Sequence, residues 1–121
     1  MQKILIVEDE AINQLFMTSI LKKLYSVFSA NNSAQALSII QSEKIDLILM
    51  DISLKGGMNG LELTKEIRKN PAYSDTPIIA VTGHVNEQEL QKTIEAGCNK
   101  FITKPFDAER LLNLVGGFLK N

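Results

Sequence analysis

A single cysteine, Cys98, excludes an internal disulfide and makes a reducing compartment, the cytoplasm, the expected setting. No apolar run approaches the roughly 20 residues that a membrane span needs, and the opening "ILIV" is far too short. Nor does a basic stretch followed by a long apolar one open the chain as an export signal would. Charge of either sign is not in excess: 13 basic against 14 acidic residues leave a formal charge of −1. That balance removes any overall electrostatic reason to bind nucleic acid directly or to lie on an acidic membrane. Linkers and low-complexity tracts are missing too. What remains is the composition of one globular domain, residues 1–121, with 45% apolar and 22% charged residues. A chain of this size buries roughly two-thirds of its unfolded surface without disulfides or a structural metal. Partners must therefore be sought in local sites.

What is present is an alternation. Short apolar, often β-branched runs, "KILIV", "YSVFSA", "DLILM", "PIIAVT" and "KFIT", take turns with longer helix-like segments. That is the pattern of βα units around a parallel sheet. In the first helical segment Ile12, Leu15, Phe16, Ile20 and Leu24 fall at steps of three and four and are expected to form its buried face. The second has Ser33 as its expected cap and Ala34, Leu37 and Ile40 as its stripe; the third uses Leu61, Thr64 and Ile67 and stops at "NPAYSD". Asn86 with Glu89 resembles a capping box, and Asp107 is the expected cap of the last segment, whose stripe is Leu111, Leu112, Val115 and Phe118. The fourth segment has only Leu90, Ile94 and Ala96 to bury, so it is lightly anchored and easier to move.

The polar residues at the strand ends belong together. Glu8 and Asp9 follow the first strand, Asp51 ends the third, Thr82 the fourth and Lys104 the fifth. In a parallel sheet these ends share one edge, and ligands of open α/β sheets bind in the crevice outside it. Asp51 in particular ends a run that reads as fully buried, and a charge there is costly unless something pairs with it. Each residue has a plainer reading: Glu8 and Asp9 as a helix cap, Thr82 as a β-former, Lys104 as a solvated charge. Their coincidence at four strand ends favours a site.

Carried by "ILIVEDE", "DLILMDISL", "NGLEL", "PIIAVTG" and "KFITKPF", the sequence resembles the receiver domain of bacterial two-component response regulators, the chemotaxis regulators included. The resemblance implies a flavodoxin-like (βα)5 fold, a doubly wound five-stranded parallel sheet in the order 2-1-3-4-5. It implies that Asp51 accepts a phosphoryl group from a histidine kinase or a histidine phosphotransfer protein. Glu8, Asp9 and Asp51, with the backbone carbonyl of Ser53, would hold Mg²⁺, a hard cation suited to oxygen ligands. Thr82 and Lys104 would contact the phosphoryl group, Phe101 would be the switch aromatic, and Lys104-Pro105 would be a cis bond. Such a domain catalyses its own phosphorylation and dephosphorylation and is not a conventional turnover enzyme. Its state would be read by a downstream protein, or by an output or kinase domain in cis.

Chemically, Lys104 and the metal offset the charge that develops on the transferred oxygens, which lets a carboxylate act as nucleophile. The phosphoryl oxygens then draw Thr82 inward and vacate space for Phe101, on what are expected to be adjacent strand ends; the face formed by the fourth helix, fifth strand and fifth helix would report the change. Some residues depart from the family pattern. The segment "ISLKGGMN" is one residue longer than usual, and its glycines make the Lys55-Gly56-Gly57 loop an expected mobile one. His84 reads as a solvated loop residue and Cys98 as a small packing residue. Two other classes share the architecture. A haloacid-dehalogenase-like phosphatase needs a second Asp two residues past the nucleophile, where Ser53 stands; a flavodoxin-type module needs a phosphate-cradling loop after the first strand, where "EDEAIN" repels phosphate.

Overall fold

In the computed structural model, which describes residues 1–83 and 86–119, the five apolar runs lie side by side as one parallel sheet. Its strands are β1 (Lys3–Val7), β2 (Ser26–Ala30), β3 (Leu47–Asp51), β4 (Ile78–Thr82) and β5 (Lys100–Thr103), in the order β2-β1-β3-β4-β5. This is the doubly wound flavodoxin-like order that the resemblance implies. Five helices connect them: α1 (Ala11–Leu21), α2 (Ser33–Ser42), α3 (Gly60–Arg68), α4 (Glu87–Ala96) and α5 (Ala108–Phe118), with a 3₁₀ turn at Pro71–Tyr73. Among the described residues no helix is long and apolar enough to cross a membrane.

Residues of β3 and β4 are buried on both faces, which is why these runs are continuous and not alternating. Successive side chains point to opposite sides. Leu5, Val7, Ile48, Met50 and Ile78 therefore pack with Ala36 and Ile40 of α2 and with Leu63 and Ile67 of α3. Ile4, Ile6, Leu47, Leu49 and Val81 pack on the other side with Met17 and Leu21 of α1 and with Leu111 and Val115 of α5.

The helix faces differ from the expected stripes in ways the sheet explains. On α1 the buried residues are Met17 and Leu21, whereas Ile12 and Leu15 are 82% and 69% exposed and Phe16 is exposed too; Leu24 lies beyond the end of the helix and is also exposed. At about 100° per residue the 17/21 arc lies more than a third of a turn from the 12/15/16 arc. Apolar residues occupy both arcs, and the sheet covers only one. On α2 the cap is Asn32, whose Oδ1 accepts from Gln35 N at 2.9 Å; Ser33 is buried in the first turn, and Ala36 packs inward where Ala34 does not. On α4 the buried residues are Thr93 and Ala96, while Ile94 is exposed. Asn86 accepts from Glu89 N at 2.8 Å and Asp107 from Arg110 N at 2.9 Å, so both residues cap their helices, while the Glu89 carboxylate faces Lys92; the reciprocal capping box forms at Asn59 and Glu62 of α3.

The glycine loop after β3 is pinned. Leu54 is buried, Met58 packs against the core, and the Met58 N–H donates to Ser33 Oγ at 3.0 Å. Gly57 has φ +150°, and a Cβ there would strike that same Ser33 hydroxyl. Gly57 thus allows a close approach to α2, while Gly56 supplies the left-handed φ of +79° that the exposed turn requires.

Candidate functional site

Because all five strands run the same way, their C-terminal ends form a single rim, and the backbone ladder carries past them. Glu8 N donates to Ala30 O at 3.0 Å, Ile52 N to Val81 O at 3.1 Å and Lys104 N to Thr82 O at 2.8 Å. Residues distant in sequence are thereby fixed as neighbours by main-chain bonds.

Glu8 is fully buried directly after β1, and its Oε2 accepts from Glu10 N at 3.1 Å. Asp9 is half-buried and Glu10 exposed, yet Glu8, Asp9 and Glu10 each bring a carboxylate oxygen within 4.8 Å of the other two. Asp51, the last residue of β3, is buried, and its Oδ1 accepts from Ser53 N at 3.0 Å. Lys104 Nζ stands between the two buried acids, 3.5 Å from Glu8 Oε1 and 3.7 Å from Asp51 Oδ1. Lys104-Pro105 is cis, as the resemblance implies.

Burial pushes the Glu8 carboxyl up from 4.5 to about 7, and the negative charge of Asp51 acts in the same direction; the Glu10 N–H and the Lys104 ammonium oppose both. Glu8 Oε1 has no hydrogen-bond partner among the described residues although it is wholly buried. An orphaned acceptor inside an acidic cluster suits a hard cation that takes oxygen ligands, so the donor set fits Mg²⁺.

The structure therefore brings Glu8, Asp51 and Lys104 together, with Asp9 beside Glu8 and exposed Ser53 two residues past Asp51; among the described residues the three acids that gather within 4.8 Å are Glu8, Asp9 and Glu10, and Asp51 is not one of them. Thr82 is buried at the end of β4, one residue beyond Val81, the partner of Asp51 across the ladder. Glu10 is the acid that reading for strand ends passes over; the run "EDE" itself was the signal. Phe101 is placed differently from expectation. It pairs with Ala80 near the start of β5, whereas Thr82 pairs with Thr103, so the two are not on adjacent strand ends. Phe101 is half-buried against the core. His84 lies outside the described residues.

Beside the acids, a groove of about 470 Å³ runs between α1 and the turn after β5, walled by Phe16, Met17, Val81 and Phe106. The rings of Phe16 and Phe106 meet at 5.7 Å and 48°. The exposed Ile12 and Leu15 continue this apolar surface outward along α1.

Comparisons with known proteins agree with this geometry. Residues 4–116 match the family model of the response regulator receiver domain. The chain is similar to the CAI-1 autoinducer sensor kinase/phosphatase CqsS of Vibrio cholerae, 36% identical over 120 residues that cover 98% of this chain but only 17% of that much longer protein. Among solved structures it matches the chemotaxis protein CheY4 of Vibrio cholerae with a TM-score of 0.93 at 28% identity, covering 98% of this chain and 99% of that one. It also matches the receiver domain of a sensor histidine kinase from Pseudomonas aeruginosa, in which a magnesium ion is coordinated in the active site cleft, with a TM-score of 0.88 at 31% identity and coverage of 97% and 96%. A match that begins in β1 and runs into α5, on a sheet wound in the same order as these neighbours, makes the chain a member of the response regulator receiver domain family.

Proposed function

We propose that this domain is the phospho-accepting element of a two-component phosphorelay, taking a phosphoryl group on Asp51 from a phosphohistidine of a histidine kinase or a phosphotransfer protein. The observation that carries the reading is the buried Asp51 carboxylate at the end of an apolar strand, faced by Lys104 and set beside an acidic cluster with an orphaned acceptor. Asp51 Oδ1 is held by Ser53 N–H and lies toward Lys104, which leaves Oδ2 to attack phosphorus. A P–O bond to Oδ2 forms, the P–N bond breaks, and the leaving imidazole keeps the electron pair. Lys104 offsets charge on the transferred oxygens. Glu8, Asp9 and Asp51, with the Ser53 carbonyl, would hold Mg²⁺, which when bound neutralises negative charge at the reacting phosphoryl group. Hydrolysis of the product returns the domain to its starting state, so the chain catalyses its own modification and is not a turnover enzyme. The setting of such a relay is the cytoplasm.

The donor must bring a histidine to Asp51 and so must cover the rim on which α1 begins. The exposed ridge of Ile12, Leu15 and Phe16 is continuous with that rim and fits an apolar helix face of the donor. The two kinds of donor separate the contributions. With Leu15→Asp, transfer from a phosphohistidine protein should fall at least about tenfold, as expected for a charge placed in an apolar contact, while uptake from acetyl phosphate stays unchanged. Equal loss from both donors would place the defect in the site and not in docking.

Intact-mass spectrometry tests the reading itself: acetyl phosphate with Mg²⁺ should add one phosphoryl group, and no gain would overturn the proposal. The signal is then expected to pass through Thr82 and Phe101 to a face read by a downstream protein or a domain in cis. Thr82→Ala should still accept phosphate, and on adding beryllofluoride its amide shifts should persist near Asp51 and shrink between Asn86 and Phe106. Distant shifts equal to those of the parent would show that Thr82 does not couple the two regions.

A further inference from the structure

Arg68, the last residue of α3, has no part in the site described above. Its guanidinium carries five N–H groups, and all five find acceptors. Nε donates to Gly97 O at 3.0 Å, Nη1 to Tyr73 O at 2.7 Å and Thr76 O at 2.6 Å, and Nη2 to Gly97 O at 2.8 Å and Asn99 Oδ1 at 2.8 Å. Among the described residues no carboxylate forms an ion pair with it. The charge is spent on main-chain carbonyls, two of its bonds converging on the residue that caps α4. Asn99 extends the joint, since its Oδ1 also accepts from Ile78 N at 2.9 Å at the start of β4.

The other end of α4 is held differently. Thr93 and Ala96, the buried residues of the helix, both lie in its last four positions, whereas Glu87 and Gln88 are exposed and Leu90 is half-buried. Gly97 has φ +118°, and a Cβ there would lie 2.9 Å from Arg68 Cγ, so the arginine stem is seated directly on the cap. The cap closes through Gly97 N to Ile94 O at 3.0 Å and Cys98 N to Thr93 O at 3.0 Å. Among the described residues α4 is therefore fastened at its C-terminal end and carried by one side-chain cap at its N-terminal end, the end that follows β4 and Thr82.

We propose that α4 is a lever hinged at Arg68 and Gly97, so that a change at Thr82 swings its N-terminal half while Arg68 keeps its C-terminal end on α3 and β4. Arg68 is a positioning residue in this scheme: it does not touch the phosphoryl group but sets which part of α4 differs between the two states. The regulatory half of the proposal rests on the phosphorelay reading; the hinge itself does not.

Hydrogen exchange on the full chain, without any phosphodonor, tests the hinge. In the parent, amides from Ala96 to Asn99 should be protected at least about tenfold more than those of Leu90 and Gln91. Arg68→Lys keeps the charge but cannot make five bonds in one plane. It should erase that difference while leaving Val115 of α5 unchanged. No gradient in the parent, or a uniform loss across all helices in the variant, would overturn the hinge. Beryllofluoride supplies a readout that a merely structural arginine would not move. Amide shifts should fade past Thr93 in the parent and extend to Asn99 in Arg68→Lys, with uptake at Asp51 by intact mass unaltered. The same fade in both proteins would refute the lever. If the parent takes up no phosphoryl group, the phosphorelay reading fails while the exchange gradient still decides the hinge.

Discussion

Asp51→Asn is expected to reduce phosphoryl uptake from acetyl phosphate and Mg²⁺ to background, and at the same time to raise the melting temperature of the metal-free protein. The two effects have one cause. Asp51 is the nucleophile of the proposed transfer, and an amide oxygen in its place does not attack phosphorus at a comparable rate. In the folded state without metal the same carboxylate faces buried Glu8, with Lys104 as the cation near both. Asparagine keeps an acceptor for the Ser53 N–H and deletes the charge. The parent gains from the metal what the variant already has: at ten times its dissociation constant Mg²⁺ should add about 1.4 kcal/mol by mass action, which is several degrees for a domain of this length. Asp9→Asn should likewise melt higher in EDTA and respond still less to Mg²⁺, because Asp9 is the half-buried, solvent-facing acid of the cluster. Melting curves of the three proteins with and without Mg²⁺ decide this. Lower metal-free midpoints for both variants, with an undiminished metal response, would mean that these acids are structural.

The strands and the shared rim were legible because each rests on a short-range rule: β-branched runs, parallel connections, and polar residues where the runs stop; the order of the strands came from the family resemblance, since no local pattern says which strand lies beside which. Lys104 illustrates this, since its place follows from β5 and is held there by its own N–H on Thr82 O. What was not legible is which face of a helix the sheet takes. The α1 pattern contains two apolar arcs; the 12/15/16 arc obeys helical spacing as well as the buried one does, and only packing against β1 and α5 selects Met17 and Leu21. The same holds for Ser33, which has the chemistry of a cap but spends its hydroxyl on Met58 N, across a tertiary contact that no local rule anticipates. Phe101 was misplaced for a different reason. Polar residues mark where strands stop but not how they pair, and the actual register sets Thr103, not Phe101, opposite Thr82. Under the proposed function, any switching by Phe101 would act through the half-buried wall it forms with α4 and not through a shared strand end. In the fourth helix the expected buried face of Leu90, Ile94 and Ala96 holds for Ala96 alone: Leu90 is half-buried, Ile94 is exposed, and Thr93 is the buried polar side chain that hydrophobic periodicity passes over.

A second large effect concerns Glu8 and pH. Its folded-state carboxyl is raised from 4.5 to about 7, chiefly by burial, so between those values the native protein holds a proton that the unfolded chain has released. Stability of the metal-free protein must then fall as pH rises through that window, because the state that binds more protons is favoured by acid. The contribution is fully present below about pH 4.5 and lost above about pH 7. At 1.36 kcal/mol per pH unit the loss is roughly 3 kcal/mol, a large share of the stability of a small domain. Glu8→Gln fixes the side chain in its neutral form. Glutamine has a single oxygen, and with it bonded to Glu10 N the contact to Lys104 is lost, so the expected net gain over the parent at pH 8 in EDTA is about 2 kcal/mol, shrinking toward zero at pH 5. Urea unfolding of the parent and of Glu8→Gln at pH 5, 6, 7 and 8 in EDTA reads this directly. The parent's curve should slope downward with pH while the variant's stays flatter. A parent whose metal-free stability is level or rises across that range would show that Glu8 is ionised at no cost in the folded state, and with it would fall the idea that this buried carboxylate is kept in place for a cation and not for the fold.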